Sequence, residues 1–164
     1  VLSGTIFLAL MSQLSITLPF TPVPITGQTF AVMFIGLVYG RKLGSATVLS
    51  YIVAGSAGLP VFAGFSGGLT FFTPSGGYII GFFFAVLVCG YFADKGWTKS
   101  PVKLISLLIA AHAVLYFFGL LQLSVFLPNK NVFTIGLYPF IAGDVIKMMI
   151  LSALLPTAWK FFKK

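Results

Sequence analysis

The sequence predicts an all-α integral membrane protein, a compact bundle of six transmembrane helices with a long apolar extracellular loop between the third and the fourth. Three observations carry that prediction. Hydrophobic residues make up 59% of the 164-residue chain and charged residues 7%, whereas soluble domains carry about a quarter charged residues. Mean hydropathy is +1.08, and apolar stretches recur along the whole chain, so the apolar beginning reads as a membrane segment and not as a cleavable leader. The basic residues stand in small groups at segment ends, as topology signals do. With no water in the bilayer core to satisfy backbone groups, the segments must be helices. No internal repeat or linker divides residues 1–164, which read as one domain.

About 20 apolar residues cross a bilayer, and six segments approach that length. The first runs from the start to about Ile16. The second (Gln28–Tyr39) and third (Leu43–Gly55) are short, and Tyr39-Gly40-Arg41-Lys42 joins them as a tight hairpin or tilted pair. The fourth covers Ser75–Ala93, the fifth Pro101–Gln122 and the sixth Ile135–Phe161. Small residues recur every four along the second to fourth segments (Gly36, Gly40, Gly44; Gly77, Gly81, Ala85, Cys89), and such ladders let helices approach closely.

Positive charge orients the segments. Arg41 and Lys42, then Lys95, Lys99 and Lys103, then Lys160, Lys163 and Lys164 mark the cytoplasmic side, and only Lys130 falls on the other. Both termini are then cytoplasmic, and Trp97 and Trp159 sit at the inner interface. The outer connections are unusual. Leu18–Thr26 holds three prolines within six positions, which stiffens and extends the chain. Ser56–Gly77 is long, glycine-rich and apolar, and carries Phe62, Phe65, Phe71 and Phe72. A solvated loop would be polar, so this one is expected to fold over the bundle as a lid.

Several function classes fall away. The net charge of +8 lies at helix ends without aromatic interleaving, so no nucleic-acid surface is expected. Cys89 is the single cysteine, which excludes an intrachain disulfide and a thiolate metal site. Two acidic residues and one histidine make a dedicated metal site improbable, and nothing calls for a cofactor. No G-x-x-x-x-G-K-[ST] motif is present, so the chain does not use ATP by itself.

Asp144 and Lys147 carry the strongest signal. One of two acidic residues stands inside the apolar stretch Ile135–Pro156, about 13 Å deep at about 1.5 Å per residue. A charge at the bilayer centre costs about 2.5–3.5 kcal/mol even on the lenient insertion scale, and an intramembrane ionisable residue marks a functional site by default. The i, i+3 spacing puts both side chains on one face. A purely structural ion pair is the plain alternative, but buried pairs stabilise poorly. A carboxylate that accepts beside an ammonium that donates suits a ligand with N–H donors next to a carbonyl, such as a cyclic urea or amide. Phe140, one turn away, would enclose its apolar part. At the outer mouth, Thr73-Pro74-Ser75-Gly76-Gly77 opens a helix whose N–H groups could hold a ligand carboxylate. One catalytic motif competes: Gly64-Phe65-Ser66-Gly67-Gly68 matches G-x-S-x-G, and His112 allows a Ser66–His112 dyad to be written. The strand-turn-helix that motif requires is missing, and His112 reads more simply as a neutral helix-packing residue.

These residues resemble the biotin-specific S components (the BioY family) of energy-coupling-factor (ECF) vitamin transporters. The matching pieces are Leu18-Pro-Phe-Thr-Pro-Val-Pro-Ile-Thr26 with Gln28-Thr29, Ala57-Gly-Leu-Pro-Val-Phe-Ala-Gly64, Ser66-Gly-Gly68, Thr73-Pro-Ser-Gly-Gly-Tyr-Ile-Ile-Gly-Phe82 and Tyr138-Pro-Phe-Ile-Ala-Gly-Asp-Val-Ile-Lys147. The resemblance implies a six-helix substrate-binding subunit, not an enzyme, in a bacterial plasma membrane. It would bind biotin with high affinity from outside and assemble with a transmembrane coupling (T) subunit and two cytoplasmic ATPases. It assigns Asp144 and Lys147 to the vitamin pocket, and Gln28, Ser75, Gly77, Tyr78 and Tyr138 are expected there on geometry. It also implies a small-residue face on the first helix that meets the coupling subunit, here Thr5, Ala9 and Ser12. An S component for another small vitamin, the Ser66/His112 intramembrane protease and a passive channel remain as alternatives.

Overall fold

The computed structural model describes residues 1–162, and side chains up to residue 156. Lys163 and Lys164, and the side chains of Trp159 and Lys160, lie outside the described residues. Six α-helices follow one another: α1 (Leu2–Gln13), α2 (Gln28–Ser56), α3 (Gly76–Asp94), α4 (Pro101–Phe126), α5 (Val132–Gly136) and α6 (Tyr138–Phe162). By length and hydropathy the stretches Gln28–Ser56, Gly76–Asp94, Pro101–Phe126 and Val132–Pro156 can each cross a membrane. The chain is an all-helical membrane protein.

The proline-rich connection does not run on as a strand. Two-residue strands β1 (Ser15–Ile16) and β2 (Ile25–Thr26) pair antiparallel, Ser15 opposite Thr26, and close it into a hairpin. The prolines lie in the turn between the strands, where no ladder N–H is required of them.

Helix α2 is two arms. Gly40 takes φ 72°, ψ −174°, a conformation open almost only to glycine, and the chain reverses there. A Cβ on Gly44 would lie 3.4 Å from Gly36 Cα, although eight residues of straight helix would separate them by about 12 Å. Gln28 Nε2 likewise reaches Tyr51 Oη at 2.7 Å, 23 residues on. Asp94, the last residue of α3, caps this turn by accepting from the Arg41 backbone N–H at 3.0 Å.

Small residues set the packing. A Cβ on Gly36 would stand 2.6 Å from Cys89 Cβ, and one on Gly81 would stand 2.8 Å from the Leu115 carbonyl oxygen. Helix α3 is thereby held between the α2 hairpin and α4. On α1, Gly4, Leu8 and Ser12 are buried while Leu2, Ile6 and Leu10 are exposed, so its small-residue side is a seam against α2. Thr5 Oγ1 donates to the Thr47 carbonyl at 3.3 Å.

The sixth predicted segment is divided. α5 ends at Gly136, Leu137 is non-helical (φ −127°, ψ −60°) and α6 starts at Tyr138. Pro139 explains the break: it has no N–H to bond back to the Ile135 carbonyl and its ring crowds that carbonyl, so α5 cannot run on through it, whereas proline is tolerated in the first turn of a new helix. Asn131 caps α5, its Oδ1 accepting from the N–H groups of Phe133 and Thr134. Between α2 and α3 the apolar loop turns through two 3-10 segments, Ala63–Phe65 and Leu69–Phe72. Of its four phenylalanines, Phe62 is buried and Phe71 half-buried, whereas Phe65 and Phe72 are exposed.

Gly40→Ala forces a disfavoured backbone conformation, and its Cβ would sit 2.2 Å from Asp94 Oδ1. It is expected to cost about 1–3 kcal/mol, seen as a lower thermal unfolding midpoint in detergent. Gly143→Ala, which meets nothing within 4 Å, should leave that midpoint unchanged or raise it.

Candidate functional site

Phe140, Asp144 and Lys147 stand at i, i+4 and i+7 on α6, one face of a helix, and that face looks inward. Asp144 is 4% exposed. Lys147 Nζ lies 2.9 Å from Asp144 Oδ1 and also donates to Thr29 Oγ1 at 2.7 Å and to the Thr26 carbonyl at 2.9 Å. An ammonium has three protons, and all three are engaged by protein. Thr29 passes its own proton on to Asp144 Oδ1 at 3.2 Å, and the Tyr116 hydroxyl donates to Asp144 Oδ2. A carboxylate offers about four acceptor sites. Three are filled here, and the open one is on Oδ2.

This clasp opens on a cavity of about 260 Å³, near the lower end of the range for small-molecule sites. Its walls come from the proline-rich connection (Val23, Pro24, Thr26), the start of α2 (Gln28, Thr29), the apolar loop (Phe62, Ala63, Ser66, Thr70, Thr73), α3 (Tyr78, Ile79, Phe82), α4 (Leu115, Tyr116) and α6 (Phe140, Asp144, Lys147), with Ser75 at the mouth of α3. The loop therefore roofs the cavity. Tyr78 Oη donates to the Gly136 carbonyl at 2.7 Å and Thr21 Oγ1 to the Ile135 carbonyl at 2.6 Å, which fixes α5 beside it.

Uncommitted donors are few. Gln28 Nε2 gives one proton to Tyr51 Oη and keeps a second, while Gln28 Oε1 accepts from Thr26 Oγ1 at 2.9 Å. The Ser66, Thr70 and Thr73 hydroxyls donate to the nearby carbonyls of Ala63, Gly67 and Thr70. Ser75 makes no side-chain capping bond. The opening of α3 is partly self-satisfied, because Gly76 N–H bonds Thr73 O and Tyr78 N–H bonds Ser75 O.

Of the residues singled out in the sequence, Asp144, Lys147, Gln28, Ser75 and Tyr78 line the cavity. Two do not. Tyr138 is 61% exposed, because it stands two residues, about 200° of helical turn, from the inward Phe140. Gly77 faces α4, where a Cβ would meet the Phe118 carbonyl oxygen at 2.3 Å, so it is a packing glycine. Ser12 is wholly buried and is thereby removed from any partner-facing surface, while Thr5 and Ala9 are half-buried.

Tyr116 and Thr29 were not among the expected site residues. Thr29 adjoins Gln28 in a quoted motif; Tyr116 is one aromatic among many in an apolar helix. His112, one turn before Tyr116, donates from Nδ1 to the Leu108 carbonyl at 2.8 Å, the backbone bond expected of a packing residue. Its Nε2 has no partner and lies 3.8 Å from Asp144 Oδ2. Ser66 Oγ donates to the Ala63 carbonyl and neither ring nitrogen of His112 bonds it, so the two form no dyad. Among the described residues no group of three or more His, Cys, Asp or Glu comes together.

Known proteins resemble this chain over most of its length. The model of the BioY family matches residues 1–164. A probable biotin transporter BioY of Pyrococcus horikoshii is 40% identical over 146 residues, 87% of this chain and 85% of that protein. The biotin transporter BioY of Thermotoga maritima is 34% identical over 82% of this chain and 80% of its own length, and that of Rhizobium etli is 34% identical over 93% and 87%. The crystal structure at 2.1 Å of the S-component for biotin from an ECF-type ABC transporter superposes with a TM-score of 0.85 at 32% identity, covering 96% of this chain and 87% of that one.

Removing one partner of a buried ion pair strands the other. Lys147→Met is expected to cost about 3–5 kcal/mol, and adding Asp144→Asn should restore most of it. Thermal unfolding of the two single variants and the double variant measures that coupling.

Proposed function

The chain belongs to the BioY family, and on that premise we propose that its roofed cavity is the biotin site of a substrate-specific uptake subunit in the cell membrane. The protein is a transport component and not an enzyme. The observation that carries this reading is a nearly fully buried carboxylate with one acceptor site open beside a cavity roofed by the apolar loop.

Biotin presents a cyclic urea at one end and a carboxylate at the other, joined by apolar ring and chain. Asp144 Oδ2 accepts from a ureido N–H. Lys147, whose protons are all engaged by protein, neutralises and aims Asp144; of the two roles open to it, donor to the ureido oxygen or counter-ion, its bonding favours the second. The free N–H of Gln28 then supplies the ureido oxygen. Phe140, Tyr78 and Phe82 enclose the apolar part, and Ser75 offers its hydroxyl to the carboxylate. A site built this way rejects analogues that lack the polar group by large factors.

The fold crosses the membrane six times in this reading, through α1, each arm of α2, α3, α4 and α6, with the apolar loop on the extracellular side. Several contacts support it. Ser3 Oγ lies 3.4 Å from Tyr39 Oη, Arg41 meets Asp94, and α6 touches the Trp97–Lys99 turn. The first helix's start, the basic hairpin turn and the α3–α4 connection thus gather at one end, the cytoplasmic one by charge. Lacking a phosphate-binding motif of its own, the subunit joins a transmembrane coupling subunit and two cytoplasmic ATPases. The exposed apolar side of α1, with Thr5 and Ala9 at its edge, is the docking face.

Titration calorimetry of the purified protein with biotin should give saturable one-to-one binding, and heats only from thiamin or riboflavin would assign another vitamin. Asp144→Asn should weaken biotin about ten- to hundredfold, the loss expected of a hydrogen bond to a charged group; because it also strands the Lys147 ammonium it should lower the unfolding midpoint, so affinity is measured well below that midpoint, where the bundle is folded. Undiminished affinity in that variant would place the site elsewhere.

A further inference from the structure

The last turn of α1 grips the roof of the cavity. Gln13 Oε1 accepts from the Phe65 backbone N–H at 2.9 Å, and its Nε2 donates to the Phe62 carbonyl at 3.0 Å. One carboxamide thus pairs with both a carbonyl and an N–H of the loop, as a neighbouring strand would. Ser12 supports it from below: its Oγ accepts from Gln13 Nε2 at 2.7 Å and lies 2.6 Å from the Val61 carbonyl. From the other side Tyr51 Oη donates to the same Val61 carbonyl at 3.0 Å.

The gripped segment needs outside help. Gly64 and Phe65 both have positive φ, 66° and 56°, and for a bulky residue such as Phe65 that is a genuine outlier. Such backbone persists only where surroundings over-determine it. The segment closes on itself through one backbone bridge, Phe62 N–H to the Ser66 carbonyl at 2.9 Å, and the Ser66 hydroxyl, which donates to the Ala63 carbonyl at 2.8 Å. Inside the cavity the same segment presents Phe62, Ala63 and Ser66.

We propose that Gln13 is a positioning residue that latches the cavity roof, so that the α1 carboxamide, and not the loop itself, sets how long a bound ligand stays. The proposal rests on the biotin reading for its ligand and on the hydrogen bonds alone for the latch. Loss of the latch releases the roof, and escape quickens. Association is unchanged or faster, because an open roof admits ligand.

The test uses the full chain in detergent micelles, with Gln13→Leu, which keeps volume and removes both bonds, and Gln13→Glu, which keeps the acceptor for Phe65 and turns the donor into a repelled oxygen. Two readouts separate the latch from the ligand assignment. Hydrogen exchange without added vitamin should rise at least about tenfold over residues 61–66 in Gln13→Leu, two net hydrogen bonds being about that factor or more, while α3 and α4 keep their protection. Stopped-flow release of biotin should quicken by a similar factor, and less in Gln13→Glu. A merely destabilised fold lowers the fraction that binds without changing the release rate. Unchanged exchange over 61–66 overturns the latch whatever the ligand is. Faster exchange with an unchanged release rate overturns its control of escape. Absence of biotin binding by the unmodified chain refutes the ligand assignment alone, and the exchange experiment still decides the latch. Should Gln13→Leu fail to fold, Gln13→Glu carries both measurements.

Discussion

Asp144 gathers donors from three helices onto one carboxylate: Thr29 from α2, Tyr116 from α4 and Lys147 from α6. That convergence is what seats α6. Only 17% of the most apolar 18-residue stretch within Val132–Pro156 is buried, against 44–56% for the equivalent stretches of the other three candidate spans. Apolar packing, which in lipid has little driving force between helices, therefore holds α6 weakly. The alternative to the clasp is a carboxylate and an ammonium facing hydrocarbon, which is far costlier than either in water. The pair need not be strongly stabilising in itself to do this; it makes every other placement of α6 worse. Sparse packing beside a fixed polar point also leaves a hollow, and the hollow is the cavity.

What the sequence made legible follows from how conspicuous each residue is against an apolar background. Two charges in a span announce themselves by cost, and the basic turns by position. Gly36, Gly44, Gly81 and Cys89 were readable as close-packing points because their spacing matches a helix face. Tyr116 was not readable: an aromatic in an aromatic-rich helix carries no mark of whether its hydroxyl finds a carboxylate. Tyr138 stands in the same motif as Asp144, yet a motif states adjacency in the chain, and a shift of two residues on a helix turns a side chain to the opposite face. Ser12 shows the converse. Small residues mark a close approach without saying what approaches, and here it is the protein's own α2 hairpin and roof.

The roof is an apolar loop that must keep its backbone satisfied at the edge of a membrane. Regular structure does little of it, because positive-φ residues at Gly58, Gly64, Phe65 and Gly68 leave only two short 3-10 turns. Side chains from neighbouring helices supply the bonds instead: Gln13 and Tyr51 from α1 and α2, and Gln122 of α4, whose Nε2 donates to the carbonyls of Phe71 and Thr73 at 2.7 Å each. Polar residues that look misplaced near the ends of apolar helices thus have one common task. They are the missing partners of a loop that could not fold by itself, and they let it close over the cavity while remaining separable from it.

The same logic gives α1 two faces with different audiences. Its buried side, Gly4, Leu8 and Ser12, leads up to the roof; its opposite side, Leu2, Ile6 and Leu10, is 51–74% exposed. An α-helix with side chains is about 10–12 Å across, so whatever lies along the exposed stripe is one helix diameter from the bonds that hold the roof. A rigid helix has no means of moving one face without the other. If the exposed stripe is the proposed docking face, a partner that shifts or tilts α1 would strain the bonds of Gln13 to Phe62 and Phe65 and of Ser12 to Val61, because these are the bonds by which α1 holds the roof.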